Sequence, residues 1–343
     1  MQKHKKKRLS FIVRTLFLCV LIYLLVRLVD FRELVDVFSG VSWGFAVLVL
    51  LTCILDLAVM GSKWNILLYA FGIRVPVRMP VIAYFTGRGF SFFLPSTIGI
   101  DSYKTYFMVK HKAGDIPSVL SSIIVERTIG MVSSFGIISL LLPFSIPVVF
   151  PGNNMNWWGA GLTCFLALCI LVLLSLDLVK YSAIVKVRIP FIPESLKHKV
   201  KAFFTVLFQV HQAKRLVFIY FLASVAEKTL YGTAAFFSLR AIGHEFSYLA
   251  VLGVVPLISL LERLPISFSS VGVREGLYVA IFTSHGLTAA EALSTALIIR
   301  ASEVVIVATS IMLWYMSGLS AATKNEVVSL AAEVDNVLER ETS

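Results

Sequence analysis

Apolar residues fall in long runs separated by short polar or basic stretches, and run length carries the first prediction. A hydrocarbon core of about 30 Å takes roughly 20 apolar residues wound as a helix. On that measure Phe11 to Val29, Trp43 to Met60 or on to Ala70, Pro117 to Leu142, Trp157 to Leu176, Leu216 to Leu239 and Ala289 to Met316 are full spans. Two stretches are too short and broken by proline. Pro80 to Leu94 ends at Pro95 and resumes from Ser102 to Val109, and Leu249 to Leu261 ends near Pro265 and resumes from Arg274 to Phe282. The expected class is all-α, a polytopic membrane helix bundle of six full spans and two re-entrant broken hairpins.

Composition agrees. The 343 residues are 58% hydrophobic and 15% charged, with a mean hydropathy of +0.86, which excludes a water-soluble enzyme, a secreted disulfide scaffold and a disordered tail. Cys19, Cys53, Cys164 and Cys169 all lie in apolar stretches and read as small hydrophobes. The histidines have no paired-ligand spacing, so neither a metal nor any other cofactor is expected.

Charge sets the topology. The excess of 31 Lys and Arg over 20 Asp and Glu marks inner loops rather than a nucleic-acid surface. The basic N-terminal run precedes an apolar core without a small-x-small cleavage site, so it reads as an uncleaved anchor with its N terminus inside. If Pro80 to Val109 crossed once, every later loop would take the wrong sign. If it enters and returns, turning near Pro95 to Gly99, then Lys110 and Lys112 lie inside and the uncharged Pro143 to Asn156 loop lies outside. The basic Asp177 to Arg215 loop is then also inside. The same treatment of Leu249 to Phe282 brings the C-terminal tail inside. Glu194 to Gln212 within the basic loop has the spacing of an amphipathic surface helix. One domain over 1–320 is expected, with repeat halves at about 10–142 and 157–316 and a cytoplasmic tail over 321–343.

Sliding the chain by 173 positions places Gly99 on Gly272, Asp101 on Arg274 and Arg127 on Arg300, with Leu120 on Leu293 and Ser121 on Ser294. Leu94-Pro95 meets Leu264-Pro265 after a three-residue insertion. Gly, Pro and Arg are costly inside membrane helices, so their coincidence indicates a repeat. The copies start on opposite sides, which makes the repeat inverted, and in transporters such repeats put substrate near the midplane.

Charged residues in or beside these segments cost about 2.5 to 3.5 kcal/mol each at a helix centre and must pair or meet water. They include Asp56, Arg88, Asp101, Lys104, Glu126, Arg127, Glu227, Lys228, Glu262, Arg263, Arg274, Glu275, Arg300 and Glu303. Arg300 and Glu303 share a helix face and are expected to pair. Glu126 and Arg127 face different ways and need separate partners, while Glu227 and Lys228 read as helix-locking charges. Asp101 reads as an N-cap and Glu275 as a complement to the helix dipole. Arg274 at a helix N-terminus opposes the dipole and so requires an anion, whether phosphate or carboxylate.

With Pro95-Ser-Thr-Ile-Gly-Ile-Asp-Ser-Tyr-Lys104 ahead of Val125-Glu-Arg127, and Val271-Gly-Val-Arg-Glu-Gly276 ahead of Arg300, the chain resembles the lysylphosphatidylglycerol synthase transmembrane region, or flippase-like domain, family. The likeness covers about residues 10 to 320. The family's Pro-Gly-Gly-Leu-Gly-Gly-Asp-x-x-Arg hairpin falls on Pro95, Gly99, Asp101 and Lys104, and its Gly-Gly-Leu-Gly-x-Arg-Glu-Gly hairpin on Gly272, Arg274, Glu275 and Gly276. Ser96, Thr97, Ile100, Ser269 and Ser270 replace glycines, and Lys104 puts a point charge where the family has the fork of Arg. The resemblance implies translocation of a lipid between leaflets, by a stand-alone member without the aminoacyltransferase domain.

The expected function is therefore a lipid translocase for an anionic phospholipid or a polyprenyl-phosphate-linked lipid, not an enzyme. The expected location is a prokaryotic cytoplasmic membrane with both termini cytoplasmic. Arg88, Lys104, Arg127, Arg274 and Arg300 would neutralise the phosphate where the two hairpins meet, with Asp101, Glu126, Glu275 and Glu303 holding those cations, and Glu262 and Arg263 beside them. No GxxxxGK[ST] loop occurs, so nucleotide hydrolysis is not the drive. The partner is a membrane lipid with an anionic headgroup, no nucleic acid is expected, and a homo-oligomer is left open. The alternatives are a membrane enzyme on a lipid-linked substrate, with Asp101 or Glu126 as general base, and a non-transporting scaffold.

Overall fold

The computed structural model describes residues 23, 27, 29–91, 98–149, 214–262 and 272–316, and among them it is helical without a strand. In chain order the helices are α1 Phe31–Ser39, α2 Trp43–Ala70, α3 Arg78–Ser91, α4 Ile98–Lys110, α5 Ile116–Val149, α6 Lys214–Ala241, α7 Tyr248–Glu262, α8 Val273–Phe282 and α9 Ala289–Met316. The expected spans Phe11 to Val29 and Trp157 to Leu176, the Glu194 to Gln212 helix, both hairpin tips and the C-terminal tail lie outside the described residues, apart from isolated positions near Val29.

Among the described residues three helices, Trp43–Ala70, Ile116–Leu141 and Ala289–Met312, are long and apolar enough to cross a membrane. Their outer faces carry bare hydrophobes, among them Leu51, Leu55, Phe135, Leu140, Val304 and Met312. Such continuous apolar surface suits lipid rather than water. The 28-residue α6 has the length, but its apolar content is diluted by Glu227, Lys228 and several Ser, Thr and Tyr residues.

Sequence and structure differ at several helix ends. The second apolar run takes the longer of its two expected bounds, to Ala70, because no proline or cap interrupts it after Met60. The helix α5 passes through Pro143 to Val149, where a loop from Pro143 is expected; proline is tolerated inside helices shielded by neighbours and lipid. The second limb of the first hairpin starts at Ile98 rather than Ser102, so Asp101 lies within the first turn and is not the N-cap. The short α1, capped by Asp30 accepting from the Arg32 amide at 2.8 Å, is absent from the sequence-based expectation.

The hairpin limbs explain why neither is a span. At about 1.5 Å per residue, the 14 residues of α3 and 13 of α4 reach roughly 20 Å each, short of a bilayer core. The limbs α3 and α4 pack on each other, as do α7 and α8. Pro117 sits in the first turn of α5, where its missing N–H is harmless. Asp115 just ahead accepts from the Ser118 amide at 3.4 Å, and hydrogen bonding from Ser118 holds its carboxyl below the ordinary range.

The chain divides into two compact units, each drawn from both halves of the sequence. One, the α3/α4 unit, comprises Leu57–Ser133, Leu166–Ala226 and Ile306–Ser343. Within it α2 meets α3 at Gly61, where a Cβ would stand 2.5 Å from the Val81 Cα. The other, the α7/α8 unit, comprises Met1–Asp56, Ser134–Phe165 and Glu227–Val305. There α6 meets α7 at Gly232, whose Cβ would stand 2.5 Å from the Leu252 side chain.

Candidate functional site

Among the described residues each unit contains a pair of short hairpin limbs and a buried cluster of charges. In the α3/α4 unit the ammonium of Lys104, on α4, is 1% exposed. It donates to the Glu126 carboxylate of α5 at 2.6 Å and to the Tyr84 phenol oxygen of α3 at 2.8 Å, and Tyr84 in turn donates to the other Glu126 oxygen. Two aromatic faces close over the same nitrogen, with Trp64 of α2 at 4.1 Å and Tyr84 at 4.2 Å from ring centre. The indole is itself fixed by donating to the Ser122 hydroxyl at 3.0 Å. Cation–π contact of this kind is strongest where water is excluded.

Arg127, next along α5, turns to a different partner, as expected of adjacent helical residues. Its Nε donates to Asp101 at 2.8 Å, and Nη2 donates to the same oxygen. This pair is more open, with Arg127 at 43% exposure and Asp101 at 21%. Arg88 lies four residues after Tyr84 on α3, hence on the same face, and is half-buried. Lys63 of α2 is buried, donates to Ser224 of α6 at 3.2 Å and sits 5.1 Å from the Tyr220 ring centre.

In the α7/α8 unit Arg274 enters at the head of α8 and meets two carboxylates. Its Nε and Nη2 donate to the two Glu262 oxygens at 2.8 and 3.1 Å, a two-pronged fit to α7. Its Nη1 stands 2.9 Å from Glu303 of α9, an ion pair by distance although its angle is poor for a hydrogen bond. Arg300 donates to Glu275 through Nε and Nη2 at 3.1 and 2.9 Å and to Glu303 at 3.4 Å. Glu275 has a second task, because its other oxygen accepts the Gly272 amide at 2.7 Å. Gly272 takes φ +82° there, a turn that favours glycine. The phenols of Tyr231 and Tyr278 lie in the field of Arg274, Glu262 and Glu303, and each hydroxyl is buried without a hydrogen-bond partner.

Of the expected site residues, Asp101, Lys104, Glu126 and Arg127 thus come together in one unit, and Glu262, Arg274, Glu275, Arg300 and Glu303 in the other. Arg263 lies outside the described residues. The anion that Arg274 requires is here a pair of glutamates. Glu227 and Lys228 pair with each other at 2.8 Å. Sequence reasoning missed Lys63, Trp64 and Tyr84. Lys63 was legible once the second span is carried to Ala70, since it then becomes a cation inside an apolar helix; the two aromatics have no signal to set them apart from ordinary core residues.

Two of the charge pairs have a common layout. Arg127 and Arg300 lie 173 residues apart, and each holds a carboxylate in the first turn of a short helix, Asp101 on α4 and Glu275 on α8. Long apolar helices with bare outer faces and charges paired inside define a helical membrane protein. The chain belongs to the lysylphosphatidylglycerol synthase TM region family, whose model matches residues 11–310. No curated protein matches the chain significantly.

Proposed function

We propose that the protein is a lipid translocase that carries an anionic phospholipid, or a polyprenyl-phosphate-linked lipid, between leaflets of the cell membrane without chemical change, with both termini cytoplasmic. Six spans and an inverted repeat with two re-entrant hairpins are part of this reading. The equivalence of α2–α5 with α6–α9 in order and register supports it: advancing the start of α5 by 173 residues lands on Ala289, the start of α9. The observation that carries the reading is the open Arg127–Asp101 pair beside the fully buried Lys104, two cations within the field of one carboxylate. A phosphate can reach the half-exposed guanidinium while its acyl chains stay in lipid, which is the arrangement a headgroup carrier needs and a soluble-substrate enzyme does not.

The test is leaflet exposure of tagged anionic lipids in proteoliposomes, comparing wild type with Arg127→Gln. Losing charge-assisted bonds of about 1.5 to 3 kcal/mol should slow translocation roughly ten- to hundredfold at unchanged reconstitution. Equal exposure rates for every anionic lipid tried would sink the reading.

A further inference from the structure

The Lys104–Glu126–Tyr84 triad is closed and neutral. One ammonium and one carboxylate cancel, the phenol bridges them, and Trp64 covers the nitrogen. The lysine is 1% exposed and the glutamate side chain 10%. A phosphate reaching Lys104 must therefore displace Glu126, and it brings a second negative charge into a space already shut off from water. Two anions on one buried ammonium leave an uncompensated charge, which is costly in low dielectric. A phosphodiester stays anionic throughout the ordinary pH range, whereas a carboxylate next to a like charge takes a proton readily.

We propose that the lipid phosphate exchanges with the Glu126 carboxylate on Lys104, and that Glu126 takes up one proton from the aqueous phase as it is displaced. This rests on the translocase reading above and names its coupling ion. An O–H bond forms on one Glu126 oxygen, Lys104 keeps its three protons, and Tyr84 keeps its phenolic proton, so the occupied site is again neutral. Among the described residues of the unit the other charged and titratable groups include Lys63 of α2, Arg88 of α3, Asp101 and Tyr103 of α4, Arg127 of α5 and Tyr220 of α6, with Asp115 ahead of α5. Of the two carboxylates among these, Asp101 already receives two bonds from Arg127, and Asp115 is exposed and bound by Ser118. Glu126 is thus the group that must carry the proton.

The experiment is calorimetric titration of the full chain in detergent with dihexanoyl phosphatidylglycerol, repeated in buffers of different ionisation enthalpy. One proton should be taken up per lipid bound. Affinity should fall about tenfold per pH unit where the free protein is deprotonated and the complex protonated. In Glu126→Gln proton uptake should vanish, and binding at alkaline pH should exceed that of wild type. Tyr84→Phe, which leaves both charges, should still take up one proton. Glycerophosphoglycerol separates headgroup from lipid: uptake with the lipid supports the proposal, while uptake with the soluble headgroup alone keeps the exchange and overturns the lipid reading. Binding of the lipid by wild type with no proton taken up overturns the exchange and leaves the translocase reading standing. Binding of neither probe overturns both.

Discussion

Lys104 shows how far a single intramembrane charge depends on its surroundings. An isolated ammonium at that depth would cost several kcal/mol, yet here every side of it is occupied by a carboxylate, a phenol or an aromatic face. Removing one member should therefore hurt more than removing both. Lys104→Ala leaves Glu126 buried beside no cation and should lower stability by about 3 to 5 kcal/mol, whereas Lys104→Met combined with Glu126→Gln should cost much less. Thermal unfolding of the detergent-solubilised variants checks this, and equal losses for the two would contradict the pairing. The spacing of the charges along the sequence gave their faces correctly, so that Arg300 meets Glu303 and Arg127 parts from Glu126. It was silent on Trp64 and Tyr84, because an aromatic in an apolar run looks the same whether it packs against leucine or cradles an ammonium.

At the scale of elements, close approach of helices decides where each hairpin docks. Gly61 lets α2 touch the Val81 backbone of α3, and nothing flexible stands in the way to yield. Alanine for glycine inside a helix normally stabilises by about 1 kcal/mol, but Gly61→Ala should reverse that sign, since overpacking costs roughly 1 to 3 kcal/mol. Gly44→Ala on the same helix meets little beyond the Ser42 hydroxyl at 4.0 Å and should be neutral or stabilising. Comparing the two melting temperatures isolates the contact; matching shifts would show that α3 does not depend on it. Helix existence was legible from apolar run length, and α9 came out at Ala289–Met316 as expected. Ends were less legible, because a proline such as Pro143 stops a helix in water and is tolerated in one shielded by neighbours and lipid.

For the whole molecule, the decisive question is which loops share a side of the membrane. The re-entrant reading places the α4–α5 turn inside and the α8–α9 turn outside. In a chain with its four cysteines replaced, His111→Cys should react with an impermeant thiol reagent only from the cytoplasmic side, and Ser284→Cys only from the opposite side. Both positions are exposed. Labelling of the two from the same side would remove the inverted repeat and with it the equivalence of Arg127 and Arg300.

The sequence by itself determined that the chain is a helical membrane protein, where most helices run, which residues carry most of the intramembrane charge and which family it belongs to. These follow from properties local to a run of residues: apolar length, the high cost of Gly, Pro and Arg in lipid, and motif spacing. Only the tertiary structure decided who neutralises whom. That Arg274 is gripped by Glu262 and Glu303, that Lys104 is boxed by Trp64 and Tyr84, and that Lys63 reaches Ser224 depend on side chains far apart in sequence meeting at a few ångströms. Coulomb attraction and dispersion act over those distances, and a linear pattern holds no record of them.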